Sequence, residues 1–418
     1  MLNKNNEREL AYIVIVDDVT PINGYDRVEL AHVGGWTIVV GKGEFKKGDP
    51  AIYFEIDSKL PEVKPFTDME FLSKKHYKIK TQKMCKSISQ GLLMSAQNFG
   101  WSIKFSRFPD GGDVYIVDND GNTHFPNDES RFLTAKLGVT YAIAEDNKRK
   151  SNDKVDKYAK MAKRHGKLFS KQPFRWLMKR NWGKRLLFVF FGRKRDNSGF
   201  PSWVVKTDEE RIQNMTWILN DKEPWIATEK VDGTSTTFTL KRGNGLFDKD
   251  EFIVCSRNVA FDTPQKAKDA CWYNTNVYLE MAEKYGIREK MEQMLHMDFN
   301  DCDYIIIQGE TYGNGIQKRD YSMSNGEHNF MVFNFITSKD GRYGTLEMRD
   351  ILEEGYGIPC VPVINEAYTL PDTVEELLDY VTGESVIDGG MREGIVFRSY
   401  DGKKSFKAVS NDYLLKYH

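Results

Sequence analysis

A lysine, a carboxylate and a glycine stand at Lys-x-Asp-Gly spacing within Glu229-Lys230-Val231-Asp232-Gly233. A lysine amine is a nucleophile once it has lost its proton. It can then attack the α-phosphorus of a nucleoside triphosphate, giving a lysyl-nucleotide and pyrophosphate. Lys230 is therefore the first candidate for covalent chemistry, with Asp232 beside it. The preceding run Pro224-Trp225-Ile226-Ala227-Thr228 reads as a strand. Residues i and i+2 of a strand share a face, so Lys230 and Asp232 are expected to project together while Gly233 lets the backbone turn without a Cβ clash. Three fixed letters also suit a solvated strand end with a turn glycine, so the weight rests on the residues downstream of them.

The chain that must position these residues has 418 residues and 40% apolar content, enough for two or three domains with cores of their own. The N-terminal Met1 to Leu10 lacks the apolar core of a signal peptide, and no apolar run approaches bilayer length, so a cytoplasmic protein without membrane contact is expected, as a monomer. The cysteines Cys85, Cys255, Cys271, Cys302 and Cys360 are odd in number and form no Cys-x-x-Cys pair, which argues against a disulfide framework and a zinc ribbon and speaks for reduced core residues. The seven histidines show no ligand spacing. A metal would then be held by carboxylates and substrate phosphates, as Mg2+ usually is.

The net charge of −1 conceals an asymmetry: from Lys148 to Arg195 there are 18 Lys and Arg against Asp153 and Asp156. Aromatics such as Phe169, Trp176, Trp182 and Phe190 interleave with these charges. Rings stack on bases while cations neutralise phosphates, so nucleic-acid contact is favoured over a merely solvated helical linker. The chain divides into three regions: residues 1–140 as an OB-like β-barrel that binds nucleic acid, 141–198 as a basic linker or docking segment, and 199–418 as the catalytic domain. In the first, the runs Tyr12–Val16, Trp36–Val40, Ala51–Ile56 and Gly91–Met94 read as barrel strands, with Gly43–Pro50 as a hairpin-type turn. Tyr77 to Lys86 alternates bases with other residues, so Lys78 and Lys80, and with them Lys86, can line one exposed face. In the third, Tyr304–Ile307 and Met331–Phe333 are too β-branched or aromatic for helix.

Further blocks come after the lysine in order: Ser256-Arg257-Asn258, then Gln308-Gly309-Glu310-Thr311-Tyr312-Gly313-Asn314-Gly315-Ile316-Gln317, Phe333-Asn334-Phe335, Arg392-Glu393-Gly394-Ile395-Val396-Phe397-Arg398 and Ser405-Phe406-Lys407-Ala408-Val409-Ser410. With the lysine block they resemble motifs I, Ia, III, IIIa, IV and V of the covalent nucleotidyltransferases. Lys206 to Asn214 and the Gly-Asn-Gly-Ile-Gln string are similar to ATP-dependent RNA ligases, in particular the Deinococcus-type branch with an N-terminal OB-like domain. The resemblance implies an α+β fold, a nucleotidyltransferase domain of antiparallel sheets with helices behind an OB-like barrel.

The blocks also carry chemistry of their own. Lys230 must lose a proton, and a neighbouring cation such as Lys407 is expected to depress its pKa. Glu310 and Glu393, at strand ends beside glycines, can reach a hydrated Mg2+ or Mn2+. Phe333, alternating with Phe335 on a strand facing a cleft, is a platform for adenine. Arg257 offers a planar fork for the ribose or nick phosphates. The resemblance adds Glu229 to the ATP contacts and puts Lys407 on the α-phosphate. The sequence departs from the family at Val409, where many members carry a second lysine that Lys404 would have to replace, and at Asn334, where an acidic residue is usual.

The activity implied is ATP-dependent joining of RNA 3′-hydroxyl and 5′-phosphate ends through lysyl-AMP and an adenylylated 5′ end, in RNA repair or nick sealing, with a nicked duplex or RNA/DNA hybrid among the substrates. A DNA ligase or guanylyltransferase would carry its OB domain after the last motif. A catalytically decayed RNA-binding protein is opposed by intact Lys230, Glu310, Glu393 and Lys407.

Overall fold

The computed structural model describes residues 1–142 and 200–417, apart from residues 6, 106–113, 202, 205–207, 244–248, 258 and 262–275. The basic run of residues 148–195, with Asn258, Lys206 and Cys271, lies outside the described residues.

The N-terminal region is built from short antiparallel sheets. Strands β1 (Ala11–Ile15), β5 (Pro50–Phe54) and β9 (Leu92–Met94) form one, in the order β1-β5-β9. A second contains β2 (Asp18–Pro21), β3 (Val28–Val33) and β4 (Trp36–Gly41). All of β5 is buried because it has a core on either side. Phe54 and Ile52 pack with Phe66, Leu133 and Ile116, whereas Tyr53 and Ala51 pack with Trp36, Ile38 and Tyr12. The four expected strands are present. Gly43–Pro50 is not a hairpin turn, however: β4 pairs with β3 and β5 with β1, so the segment crosses from one sheet to the other.

The stretch from Tyr77 to Lys86 departs from a continuous strand. The short strand β6 (Ser58–Lys59) bridges to Lys78 through Lys59. The helix α1 (Glu70–Lys74) precedes this bridge, and the strands β7 (Gln82–Met84) and β8 (Ser87–Ser89) then close a hairpin. Its turn residues Cys85 and Lys86 have φ of +53° and +63°, the left-handed pair that matches strand twist, so Lys86 leaves the face expected to hold it. Lys80 is exposed, and Cys85 is half-buried rather than core. A third sheet of β10 (Ser102–Phe105), β11 (Val114–Val117) and β12 (Thr123–His124) comes next, and β13 (Thr140–Tyr141) returns to pair with β6.

The C-terminal region holds two antiparallel sheets. The larger has the order β17-β16-β15-β18-β19-β20, from β15 (Thr234–Lys241), β16 (Glu251–Ser256), β17 (Ala260–Phe261), β18 (Tyr304–Gly313), β19 (His328–Thr337) and β20 (Gly341–Arg342). One face packs on α2 (Val277–Lys284) and α3 (Ile287–Gln293) through Phe238, Ile305, Ile307, Met281 and Met291. The smaller sheet, order β21-β14-β22-β23, joins β14 (Trp225–Lys230), which precedes the larger sheet in the chain, to β21 (Val363–Tyr368), β22 (Gly394–Ser399) and β23 (Ser405–Val409), which follow α4 (Thr345–Arg349). It buries Trp225, Phe397 and Phe406 against α5 (Val374–Val381). The chain ends in α6 (Asn411–Tyr417).

The two domains touch closely. A Cβ on Gly35, at φ +80° in the β3–β4 turn, would lie 2.3 Å from Cγ1 of Val374 on α5. On another side Ile88 of β8 packs with Val409 and with Leu414 of α6.

Candidate active site

β14 ends at Lys230 in the smaller sheet and β15 begins at Thr234 in the larger, so Val231-Asp232-Gly233 is the chain's passage between them. Val231 anchors that passage in a small core with Tyr312, Tyr321 and Val361. The sharing of a strand face between Lys230 and Asp232 does not apply, because the strand ends at the lysine. Gly233 is needed for close approach rather than for a turn: a Cβ there would lie 2.2 Å from the Thr311 carbonyl oxygen.

The passage opens onto a cleft of about 820 Å³, a size that suits a nucleotide. Lys230, Asp232, Glu310, Phe333, Arg257 and Lys407 all line it. The N-terminal domain contributes Arg8, Asp57 and Tyr141.

Lys230 donates from Nζ to Oε2 of Glu393 at 2.7 Å. Burial disfavours its ammonium, yet Glu393, Glu310 and Asp232 together hold the lysine pKa above its ordinary value. The depression expected from Lys407 is thus reversed here. It is Lys407 that is lowered, by burial and by the Lys230 and Arg211 charges, against Asp208. Partial burial pushes the Glu310 carboxyl up to about 8, with the Glu393 and Asp232 charges adding to it and Lys230 and Arg257 opposing. A carboxyl that is costly to ionise on its own favours an incoming cation.

Asp208 spans two further cations of the cleft. Its Oδ1 accepts from Lys407 Nζ at 2.8 Å and its Oδ2 from Arg257. Burial opposes its charge, but Lys407, Arg257 and Lys230 outweigh burial and keep its pKa low. The neighbouring backbone runs along β23, with the Lys407 N–H donating to the Glu210 carbonyl at 2.7 Å. Asp208 falls in a segment that the resemblance singles out without giving it a role. Arg8, Asp57 and Tyr141 carry no local signal.

Phe333 reaches the cleft for a reason different from simple alternation. Asn334 pairs with Gln308 and Val332 with Gly309, so Phe333 is an extra residue, a β-bulge. Phe335, with Phe330 and Val332, faces the core instead. The expected shared face of Phe333 and Phe335 is therefore broken by the bulge. Asn334 is buried and donates to Gln308 at 3.0 Å, away from any metal role.

The carboxylate of Glu229 accepts from Ser385 Oγ and, at 2.9 Å, from the Val386 N–H, so it fastens the loop that leads to Glu393. Lys404 pairs with Asp221 at 2.6 Å on the surface and does not supply a second charge to the cleft. Lys78 and Lys80 lie in the N-terminal domain and are not among the residues of the cleft wall.

No cluster of three or more His, Cys, Asp or Glu side chains suited to a metal ion occurs among the described residues. The donors present, Glu310 and Asp232 on the wall with Glu393 behind Lys230, fit a divalent ion held largely through water and phosphate oxygens rather than in a protein cage. No helix among the described residues is long and apolar enough to cross a membrane.

Comparisons with known proteins agree with this arrangement. Residues 223–418 match the sequence profile of the RNA ligase family, and residues 10–96 that of an OB-fold domain. No curated protein sequence matches the chain. Among solved structures, an RNA ligase from Naegleria gruberi with PPi superposes with a TM-score of 0.60 at 25% identity, covering 98% of this chain and 99% of that one. Variants of the same enzyme solved with ATP and Mn (TM-score 0.61) and with AMP and Mn (0.60) align at 24% identity over 98% of this chain and 99% of theirs. With its Lys-x-Asp-Gly passage between two antiparallel sheets, the region 223–418 is an RNA ligase domain, and an OB-fold domain stands ahead of it.

Proposed function

We propose that this RNA ligase uses ATP and joins RNA 3′-hydroxyl and 5′-phosphate ends by way of lysyl-AMP. The observation that carries the reading is Lys230, paired with a carboxylate, in one cleft with Lys407 of the same sheet and with Arg257. In the first step the Lys230 Nζ lone pair forms a bond to the α-phosphorus as the bond to pyrophosphate breaks. Glu393, 2.7 Å away, is placed to take the proton. Lys407 and Arg257 would leave Asp208 for phosphate and ribose oxygens, and Phe333 would stack on adenine. Mg2+ or Mn2+, held by Glu310 and Glu393 with Asp232 nearby, would neutralise charge on the phosphates. The RNA 5′-phosphate then takes AMP from Lys230, and the 3′-hydroxyl displaces AMP to close the phosphodiester.

The basic residues 148–195, with Lys78 and Lys80 of the N-terminal domain, supply the charge that holds the RNA backbone. A nicked duplex or an RNA/DNA hybrid suits such a surface, and the protein would act in the cytoplasm. The boundaries 1–140, 141–198 and 199–418 remain our division of the chain. Incubating the protein with ATP, divalent metal and a 5′-labelled RNA nick tests the reading: a sealed strand supports it, and failure to seal with any RNA or hybrid end overturns it.

A further inference from the structure

The last helix lies outside every motif that carries the chemistry, yet it touches the site at two points. Tyr413 of α6 is fully buried and donates its hydroxyl to Oδ2 of Asp232 at 2.6 Å. Ser410, at the start of the helix, donates its N–H to the Glu393 carbonyl at 2.9 Å, and its Oγ accepts from the Tyr413 N–H at 3.3 Å. One short helix thus holds both carboxyl residues that flank Lys230. A second tyrosine fixes the same aspartate from the other side, since the Asp232 N–H donates to the Tyr321 hydroxyl at 2.6 Å. Tyr321 itself sits at φ +54°, with the Arg319 guanidinium 4.0 Å from its ring centroid. Such a backbone persists only where its surroundings over-determine it.

The helix is buttressed from outside the catalytic domain. Leu414 packs with Val409 and with Ile88 of the β7–β8 hairpin, and Lys83 of that hairpin donates to the Leu415 carbonyl at 3.1 Å.

We propose that α6 is a positioning element for the nucleotidyl-transfer site, with Tyr413 as the residue that turns the Asp232 carboxylate away from Lys230. The proposal rests on the lysyl-AMP reading above. Without the hydroxyl, the carboxylate two residues from the nucleophile can turn toward it and form a second ion pair, and the amine is withdrawn from the phosphorus. ATP recognition by Phe333, Arg257 and Lys407 is untouched, so the loss falls on the rate at saturating ATP rather than on the ATP concentration needed. Docking of the OB-fold hairpin on Leu414 and Leu415 then bears on covalent chemistry and not on RNA binding alone.

The test uses the full chain and tracks covalent labelling from α-labelled ATP in wild type, Y413F, D232N and the double variant. Phe keeps the ring in its buried seat. Y413F is expected to label about tenfold more slowly at saturating ATP, with half-saturation unchanged within about threefold. In the D232N background Y413F should cost nothing further, because the charge that the hydroxyl keeps from Lys230 is already gone. L414A, which loosens the helix but keeps the hydroxyl, should show a smaller slowing with the same dependence on Asp232. Wild-type rates in Y413F, or an equal cost in the D232N background, would overturn the proposal. Absence of labelling in the wild type would overturn the ligase reading itself and the proposal with it.

Discussion

Lys230 and Glu393 are joined at 2.7 Å across the seam between β14 and β22, where Lys230 lies opposite Gly394. The register depends on that glycine, because a Cβ on Gly394 would lie 2.2 Å from the Ala408 carbonyl oxygen. Glu393 is thus placed to keep the proton on Lys230 in the resting protein and to receive it during attack. Glu393→Gln removes the charge that raises the lysine pKa. The rising limb of the labelling rate against pH should move to lower pH by about one unit, while the maximal rate falls about a hundredfold. A limb that stays in place would show that Glu393 does not control the amine.

Glu310 is a function-for-stability compromise that can be measured without substrate. Its carboxyl keeps a proton up to about 8 in the folded protein. In the unfolded chain it ionises at the ordinary value near 4.3. The unfolded state therefore gains relative to the folded one as pH rises through that window, and the penalty is complete above about 8. Glu310→Gln should stabilise the ligand-free protein by about 1–2 kcal/mol at pH 8 and by almost nothing at pH 4, as read by denaturant unfolding. It should lose most labelling activity. A destabilised Gln variant at pH 8 would contradict the electrostatics described for the cleft.

Asp208 occupies the two cations that a nucleotide would need. Asp208→Ala should lower the ATP concentration for half-maximal labelling about threefold or more, because no carboxylate then has to be displaced. An increase in that concentration, seen in an ATP titration, would mean that Asp208 helps to hold the bound nucleotide instead.

Gly35 tests the contact between the domains. With φ at +80° and only 2.3 Å from its Cβ position to Val374, Gly35→Val should destabilise the protein by about 2–4 kcal/mol and slow labelling. Unchanged stability in urea unfolding would show that the β3–β4 turn yields freely.

Much of the site is legible in the sequence because its chemistry sits in short local patterns. Lys230, Asp232, Glu310 and Lys407 can each be read from neighbours within a few residues, and the structure brings them to one cleft. The features that escape such reading depend on distant pairing. The bulge at Phe333 is one extra residue in a strand, and neither Phe333 nor Phe335 signals which of them turns outward. The Asp208 bridge, the Tyr413 hydroxyl and the wall supplied by Arg8 and Asp57 join residues far apart in the chain. The sign of the Lys230 shift is hidden for the same reason, since Glu393 stands 163 positions from the lysine. In the barrel, strand positions are given away by β-branched runs, but the segment from Gly43 to Pro50 gives no sign that its flanking strands belong to different sheets.

The measurement that bears most directly on the whole account is peptide mapping of the protein after incubation with ATP and divalent metal. An AMP adduct on Lys230 is expected, absent in Lys230→Ala, with that variant still sealing pre-adenylylated RNA in part. An adduct on any other residue, or undiminished labelling of Lys230→Ala, would contradict it.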